Sequence, residues 1–145
     1  SSRMNEVYNT FDIFYLPTSG EGFGMASVES MACKIPIVLT DFTSSYEQIM
    51  DMGQSGELVK LVGTDSEDVK QYYNGTVCGS WTVERGVADV DDACKKIIKL
   101  KDNPELRKQY GEAGRSKVEL HYDWSLVTKQ WSELLLKLMG DTNAK

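Results

Sequence analysis

A single histidine, His121, stands in a chain of 145 residues, which excludes a His-rich metal centre and leaves one imidazole for any Ser-His-Asp triad. Its neighbours Tyr122 and Asp123 put it near an expected helix end, where a capping or surface role fits. The three cysteines, Cys33, Cys78 and Cys94, are odd in number and widely spaced, giving neither a disulfide framework nor a zinc site. They read as buried or inert thiols of a reducing compartment. No apolar run approaches the roughly 18 residues needed to span a bilayer; the longest candidate, 134–139, stops far short. A basic excess is missing as well. Sixteen Lys and Arg against 22 Asp and Glu give a net charge of −6, which works against a phosphate-backbone footprint, so nucleic acid is not an expected partner. The opening Ser1-Ser2-Arg3-Met4 has no methionine in first place and no apolar signal core, which reads as a trimmed or excised segment of a cytoplasmic protein. Internal repeats and low-complexity stretches are absent.

What is present is ordinary globular composition, 41% hydrophobic and 26% charged, at the length of one domain. Residues 12–17 (DIFYLP) and 36–40 (PIVLT) are short apolar runs that read as parallel strands buried on both faces. Between them lie Gly20-Glu21-Gly22-Phe23-Gly24 and then 25–33, where Met25, Val28 and Ala32 recur at helical spacing. The order strand, glycine loop, helix, strand is a βαβ unit, with its loop at the carboxyl end of the first strand, where open α/β sheets bind ligands. A short helix is expected over 45–50 with Gly53 as its stop, then a third strand over 57–62 nearer an edge. Residues 63–88, with Tyr72, Tyr73 and Trp81, hold no period and read as a long loop insertion; Asn74-Gly75-Thr76 within it matches a glycosylation acceptor pattern and is read as unmodified. Three helices close the chain. Asp89 caps one whose Val90, Ala93, Cys94, Ile97 and Ile98 share a face; Asn103-Pro104 opens the second; Ser125 caps the last, with a stripe of Val127, Trp131, Leu134, Leu135 and Leu138. These stripes read as core-facing, and Trp124 and Trp131 as core rather than sugar platform.

Glu21 and Glu29 are separated by seven residues, one in the glycine loop and one two turns into the next helix. Gly22 and Gly24 allow a tight turn and a close ligand approach, and the amides that follow, at Met25 and Ala26, point off a helix N-terminus that attracts phosphate. A ligand with hydroxyls on both sides of a diphosphate could be gripped at each end. A nucleotide sugar has that shape.

The run Asp12-Ile13-Phe14-Tyr15-Leu16-Pro17-Thr18, then Glu21-Gly22-Phe23-Gly24, then Glu29-Ser30-Met31-Ala32-Cys33-Lys34-Ile35-Pro36-Ile37-Val38, resembles the signature of retaining glycosyltransferases of the GT-B fold, especially family 4, the glycosyl transferases group 1. The glutamates match its E-x7-E motif. Similarity continues in residues 45–49, 56–59, 102–107 and 122–125. The resemblance implies a Rossmann-like parallel α/β sheet, with residues 1–145 as the later half of the C-terminal, donor-binding domain and its closing helices. It implies that Glu21, the catalytic candidate, meets donor-sugar hydroxyls and that Glu29 holds the ribose. The amides of Phe23, Gly24, Met25 and Ala26 beside Gly22 would hold the diphosphate or sugar, and Glu47 matches a recurrent glutamate. The donor would be a UDP-, GDP- or ADP-sugar, the acceptor a carbohydrate, lipid or small molecule, with no metal or other cofactor. Front-face substitution is the implied mechanism, a covalent intermediate through Glu21 its competitor.

Lys34 stands where the family has glycine, which suggests a different helix exit or a tolerated strain costing about 1 kcal/mol. The family's Arg and Lys pair at the diphosphate and its preceding acceptor-binding domain have no counterpart in these residues, and three strands are thin for the usual doubly wound fold. Taken alone the chain should bind a diphosphate weakly. The alternatives are a non-catalytic nucleotide-sugar-binding or interaction module and an unrelated flavodoxin-like domain using Asp41. Lipid-linked acceptors would make the protein peripheral to a membrane.

Overall fold

The computed structural model describes residues 2–62 and 86–142. In chain order these form α1 (Ser2–Tyr8), β1 (Phe14–Leu16), α2 (Met25–Ala32), β2 (Ile37–Thr40), α3 (Ser45–Met50), β3 (Gly56–Val59), α4 (Val90–Lys101), α5 (Pro104–Lys117), a π-helical turn (Val118–Tyr122) and α6 (Trp124–Thr142). The sheet is parallel in the order β1-β2-β3, with Phe14 opposite Ile37 and Ile37 opposite Gly56. Each crossover passes through a helix, as parallel neighbours require. The expected 63–88 insertion lies outside the described residues except for its exit, where Leu61 bridges Ala88 and Gly86 N–H donates to Ser19 O at 3.0 Å.

Two apolar layers flank the sheet. Val28, Met31, Ile37, Leu39 and Ile49 fill one side, and Val38, Val59, Ala93, Leu100 and Tyr110 the other. The alternation of β2 residues between these sets explains why all four are buried, as expected of a central strand. β1 departs from that reading. It has one strand neighbour among the described residues, and Tyr15 is exposed, so it is not buried on both faces. α5 crosses from one layer to the other. Its Gly111 lies so close to the α2–β2 connection that a Cβ would stand 2.2 Å from Lys34 O, and only glycine permits that approach.

Asp89 and Asn103 cap their helices as expected, accepting from the amides of Asp92 at 2.9 Å and Leu106 at 3.0 Å. The last cap is Asp123 rather than Ser125: its carboxylate accepts from Ser125 N–H at 2.8 Å and also from the Ser125 hydroxyl, which hold it below the usual aspartate range. Two expected core stripes are corrected. On α4, Ala93 and Leu100 are buried with Ile97 partly buried against them, while Val90, Cys94 and Ile98 are exposed one row over. On α6, Trp131, Leu134, Leu135 and Leu138 are exposed, as is Trp124 at 73%, because α6 meets the rest of the described fold near its start. Periodicity marks an apolar face but does not supply what covers it. Of the cysteines expected to be buried or inert, Cys94 is exposed and Cys33 partly so, and Cys78 lies outside the described residues.

Glu57 on β3 is the charged centre of the second layer. It is almost wholly buried and accepts from Lys99 at 2.5 Å, Lys96 at 3.2 Å and the Tyr110 hydroxyl at 2.9 Å. Burial pushes its carboxyl up, but these donors outweigh burial and hold it below the ordinary range. Tyr110 is pushed up to about 12 by burial and then by the same carboxylate. At the α2 exit, Lys34 adopts φ 61° while its amide donates to Met31 O and that of Ile35 to Ser30 O, the Schellman pattern. The strain foreseen for a lysine at this position is therefore present.

Two outcomes follow. Lys34→Gly raises stability by about 0.5–1 kcal/mol in urea denaturation, since the Lys34–Glu112 pair it removes is exposed; a loss would show that this pair outweighs the backbone strain. Because the Glu57 carboxyl is lowered by folding, its contribution is present above about pH 4 and is lost as pH falls through the folded-state value. Glu57→Gln therefore costs about 1–3 kcal/mol at pH 7 and less once the pH has fallen below the folded-state value; a deficit unchanged in acid would contradict this.

Candidate functional site

The carboxyl end of β1 runs through residues 17–24 into α2. Gly24 turns the chain: it has φ +82° and ψ 59°, a left-handed conformation, and a Cβ there would stand 2.9 Å from Ser27 Oγ. Both backbone and space demand glycine. Gly22 has neither constraint, with open room around its Cβ position and no positive φ, so the turn does not require glycine there.

α2 has no side-chain cap, and among the described residues the amides of Phe23, Gly24, Met25 and Ala26 have no hydrogen-bond acceptor. Their direction is set from behind. Phe23 O accepts from the Ser44 hydroxyl at 3.0 Å and from the side-chain amide of buried Gln48. In a trans peptide, C=O and N–H point opposite ways, so drawing Phe23 O toward α3 turns the Gly24 N–H outward. Gly24 O in turn accepts from Ser27 N–H at 3.1 Å and faces Ser27 Oγ at 2.6 Å, which directs the Met25 N–H off the helix end. The Ser27 hydroxyl has one proton, shared between Gly24 O and Gln48 Oε1.

Lys117 supports this arrangement. Its side chain is fully buried, and Nζ donates to Gln48 O at 2.5 Å, beside Ser55 Oγ at 3.5 Å. Burial pulls its pKa down, while the charges of Asp51 and Glu47 oppose the shift. The π-helical turn completes the backing, its Tyr122 ring meeting Phe23 edge-on at 5.4 Å.

The six expected residues Glu21, Gly22, Phe23, Gly24, Met25 and Ala26 thus form one continuous turn. Glu21 is half-buried and accepts from Gly22 N–H at 3.1 Å, with its Cγ 3.4 Å from the Cβ position of Gly24. Glu29 lies exposed on α2, where the Tyr8 hydroxyl donates to its Oε2 at 2.7 Å. Glu47 is exposed on α3, its charge acting on Lys117 and Tyr122. Sequence reading missed Tyr8, Ser27, Ser44, Gln48 and Lys117. The available signal was polarity on an apolar face, Gln48 sharing a helix face with Ser45 and Ile49. Among the described residues no three of His, Cys, Asp and Glu gather as a metal set, and no helix is long and apolar enough to cross a membrane. A cleft of about 290 Å³ at the amino-terminal end of the strands is lined by Lys34, Arg107 and Lys108; Arg107 donates to Leu100 O and Lys101 O, and Lys34 pairs with Glu112.

The chain is similar to known proteins in both sequence and fold. The sequence profile described as "Glycosyl transferases group 1" matches residues 1–74. A capsular polysaccharide biosynthesis glycosyltransferase of Staphylococcus aureus is 28% identical over 127 residues, which cover 88% of this chain and 26% of that protein. The chain spans about a quarter of that relative. Among solved structures, the sucrose-phosphate synthase of Thermosynechococcus elongatus superposes with a TM-score of 0.69 at 18% identity, over 93% of this chain and 27% of that one. The C-terminal domain of a glycosyl transferase group 1 family protein from Francisella tularensis superposes with a TM-score of 0.56 at 22% identity, over 86% of this chain and 50% of that domain.

The two glycines separate in their cost. Gly24→Ala destabilises the chain by about 1–3 kcal/mol, and Gly22→Ala changes stability by less than about 0.5 kcal/mol, both read by thermal or urea unfolding. Equal effects would contradict the turn geometry.

Proposed function

This chain belongs to the glycosyl transferases group 1, and from that premise we propose that it supplies part of the donor site of an enzyme moving a sugar from a nucleotide-sugar donor to an acceptor with retained anomeric configuration. The observation that carries the reading is the set of outward amides at 23–26, framed by the E-x7-E pair. Four N–H groups at a helix N-terminus, without an acceptor among the described residues, suit a diphosphate, which carries its negative charge there and gains more as the bond to the sugar breaks.

In this proposal the diphosphate of a UDP-, GDP- or ADP-sugar lies against the amides of Phe23, Gly24, Met25 and Ala26, with Gly22 beside it. Glu21 accepts from hydroxyls of the donor sugar and Glu29 from the ribose. The bond between the anomeric carbon and the phosphate oxygen breaks, its electron pair leaving with the nucleoside diphosphate. The acceptor oxygen bonds to the same face of the anomeric carbon, and its proton passes to the departing phosphate. Glu47 adds negative charge on α3, outside this contact set. The acceptor is a carbohydrate, lipid or small molecule.

We read residues 1–145 as the later half of a donor-binding domain. β1 has no second strand partner among the described residues, Val90, Cys94 and Ile98 are exposed on α4, and the chain matches half of the solved Francisella domain. Further strands beside β1 would complete the sheet, bring the Arg and Lys partners of the diphosphate, and adjoin an acceptor-binding domain. By itself the chain binds donor without turning it over.

Calorimetry of the chain with uridine, guanosine and adenosine diphosphates and their sugars tests this. One base series binds weakly; Glu29→Ala weakens that binding about ten-fold, and Glu21→Ala affects the nucleotide sugar more than the free diphosphate. Unchanged affinities in both variants would sink the assignment.

A further inference from the structure

Glu29 is an exposed glutamate, a residue type that ordinarily samples several rotamers, yet among the described residues its carboxylate has one fixed partner. That partner, Tyr8, is only 6% exposed and comes from α1, 21 positions earlier. Its ring is held edge-on to Phe11 at 6.0 Å and tilted against Phe14 at 6.3 Å. One turn further along α2, Cys33 Sγ lies 3.3 Å from Asn5 Oδ1, so α1 meets this face of α2 at two points. Burial, then the Glu29 hydrogen bond, pushes the Tyr8 phenol up to about 12, which keeps it a neutral donor at any ordinary pH.

A buried aromatic ring donating to an exposed carboxylate acts as a fixed post. The hydroxyl takes one of the roughly four acceptor positions of the carboxylate and leaves Oε1 and one lone pair of Oε2 for a ligand. Those remaining positions suit two neighbouring hydroxyls of one sugar ring. An untethered glutamate would lose side-chain freedom on binding them, whereas the Tyr8 bond removes that freedom beforehand. We infer that Tyr8 is a positioning residue that sets the carboxylate of Glu29 for a vicinal diol and thereby makes the site prefer a ribose over a 2′-deoxyribose. This rests on the reading of Glu29 as the ribose ligand. Tyr8 touches no reacting atom.

Tyr8→Phe keeps the ring and removes only the donor, so circular dichroism and thermal unfolding act as controls for folding. In the full chain without ligand, carbon-13 relaxation of the Glu29 methylenes reports higher order in the wild type than in Tyr8→Phe; equal order overturns the inference without need of any nucleotide. With ligand, the probes are uridine, guanosine and adenosine diphosphates in ribo and 2′-deoxyribo forms. The wild type favours the ribo form of its preferred base by about ten-fold or more, and Tyr8→Phe lowers that ratio to about three-fold or less. A general loss of packing would weaken both forms alike and leave the ratio unchanged, which overturns the inference. Glu29→Ala separates the two claims. If it leaves the ratio at the wild-type value, the ribose reading itself fails; if it abolishes the ratio while Tyr8→Phe preserves it, the role of Tyr8 fails alone.

Discussion

The hydrogen bonds that hold the Phe23 carbonyl against α3 are the constraint on which the rest of the site depends. Ser44 and Gln48 reach it from a helix that follows in sequence, and Gln48 is itself seated by Ser27 and by Lys117 on its backbone oxygen. A peptide group cannot turn its oxygen one way without turning its N–H the other. Anchoring a few carbonyls behind the loop is thus enough to set the amides in front of it. The left-handed Gly24 supplies the bend, and α2 adds its aligned dipoles. In the proposed reading these amides and the helix dipole supply the attraction for an anion from a chain whose net charge is −6.

Burying Lys117 is costly unless its ammonium is hydrogen-bonded, and it donates to the backbone of the helix it braces, at Gln48 O, beside Ser55 Oγ. It joins the C-terminal helices to α3, just as Tyr122 joins the π-helical turn to Phe23. The closing helices therefore brace the turn that opens α2, although they lie about a hundred residues downstream. Glu57, with Lys96, Lys99 and Tyr110, serves the opposite layer in the same way, tying β3 to α4 and α5.

Much of this architecture was legible in the sequence because its signals are local. The alternation of strand, glycine loop, helix and strand over 12–40 needs only neighbouring residues, and the caps at Asp89 and Asn103 are read within four positions. Coverage was not legible. The stripes of α4 and α6 are real apolar faces, but whether another element lies on them is a fact of topology, and Trp124 and Trp131 proved exposed. The residues that back and steer the site were hidden for the same reason. Tyr8 and Glu29 are 21 positions apart, Gln48 and Phe23 are 25, and Lys117 lies 69 beyond Gln48. No periodicity connects such pairs.

The central claim is that the amides opening α2 receive a diphosphate. Nitrogen-15 chemical-shift mapping of the chain during titration with a nucleoside diphosphate tests it most directly, because it reads the N–H groups themselves. The expected result is a saturable shift centred on Phe23, Gly24, Met25 and Ala26, with smaller changes at Gln48 and Ser27 behind them. Saturable shifts centred instead on Lys34, Arg107 and Lys108, at the opposite end of the strands, would contradict the account.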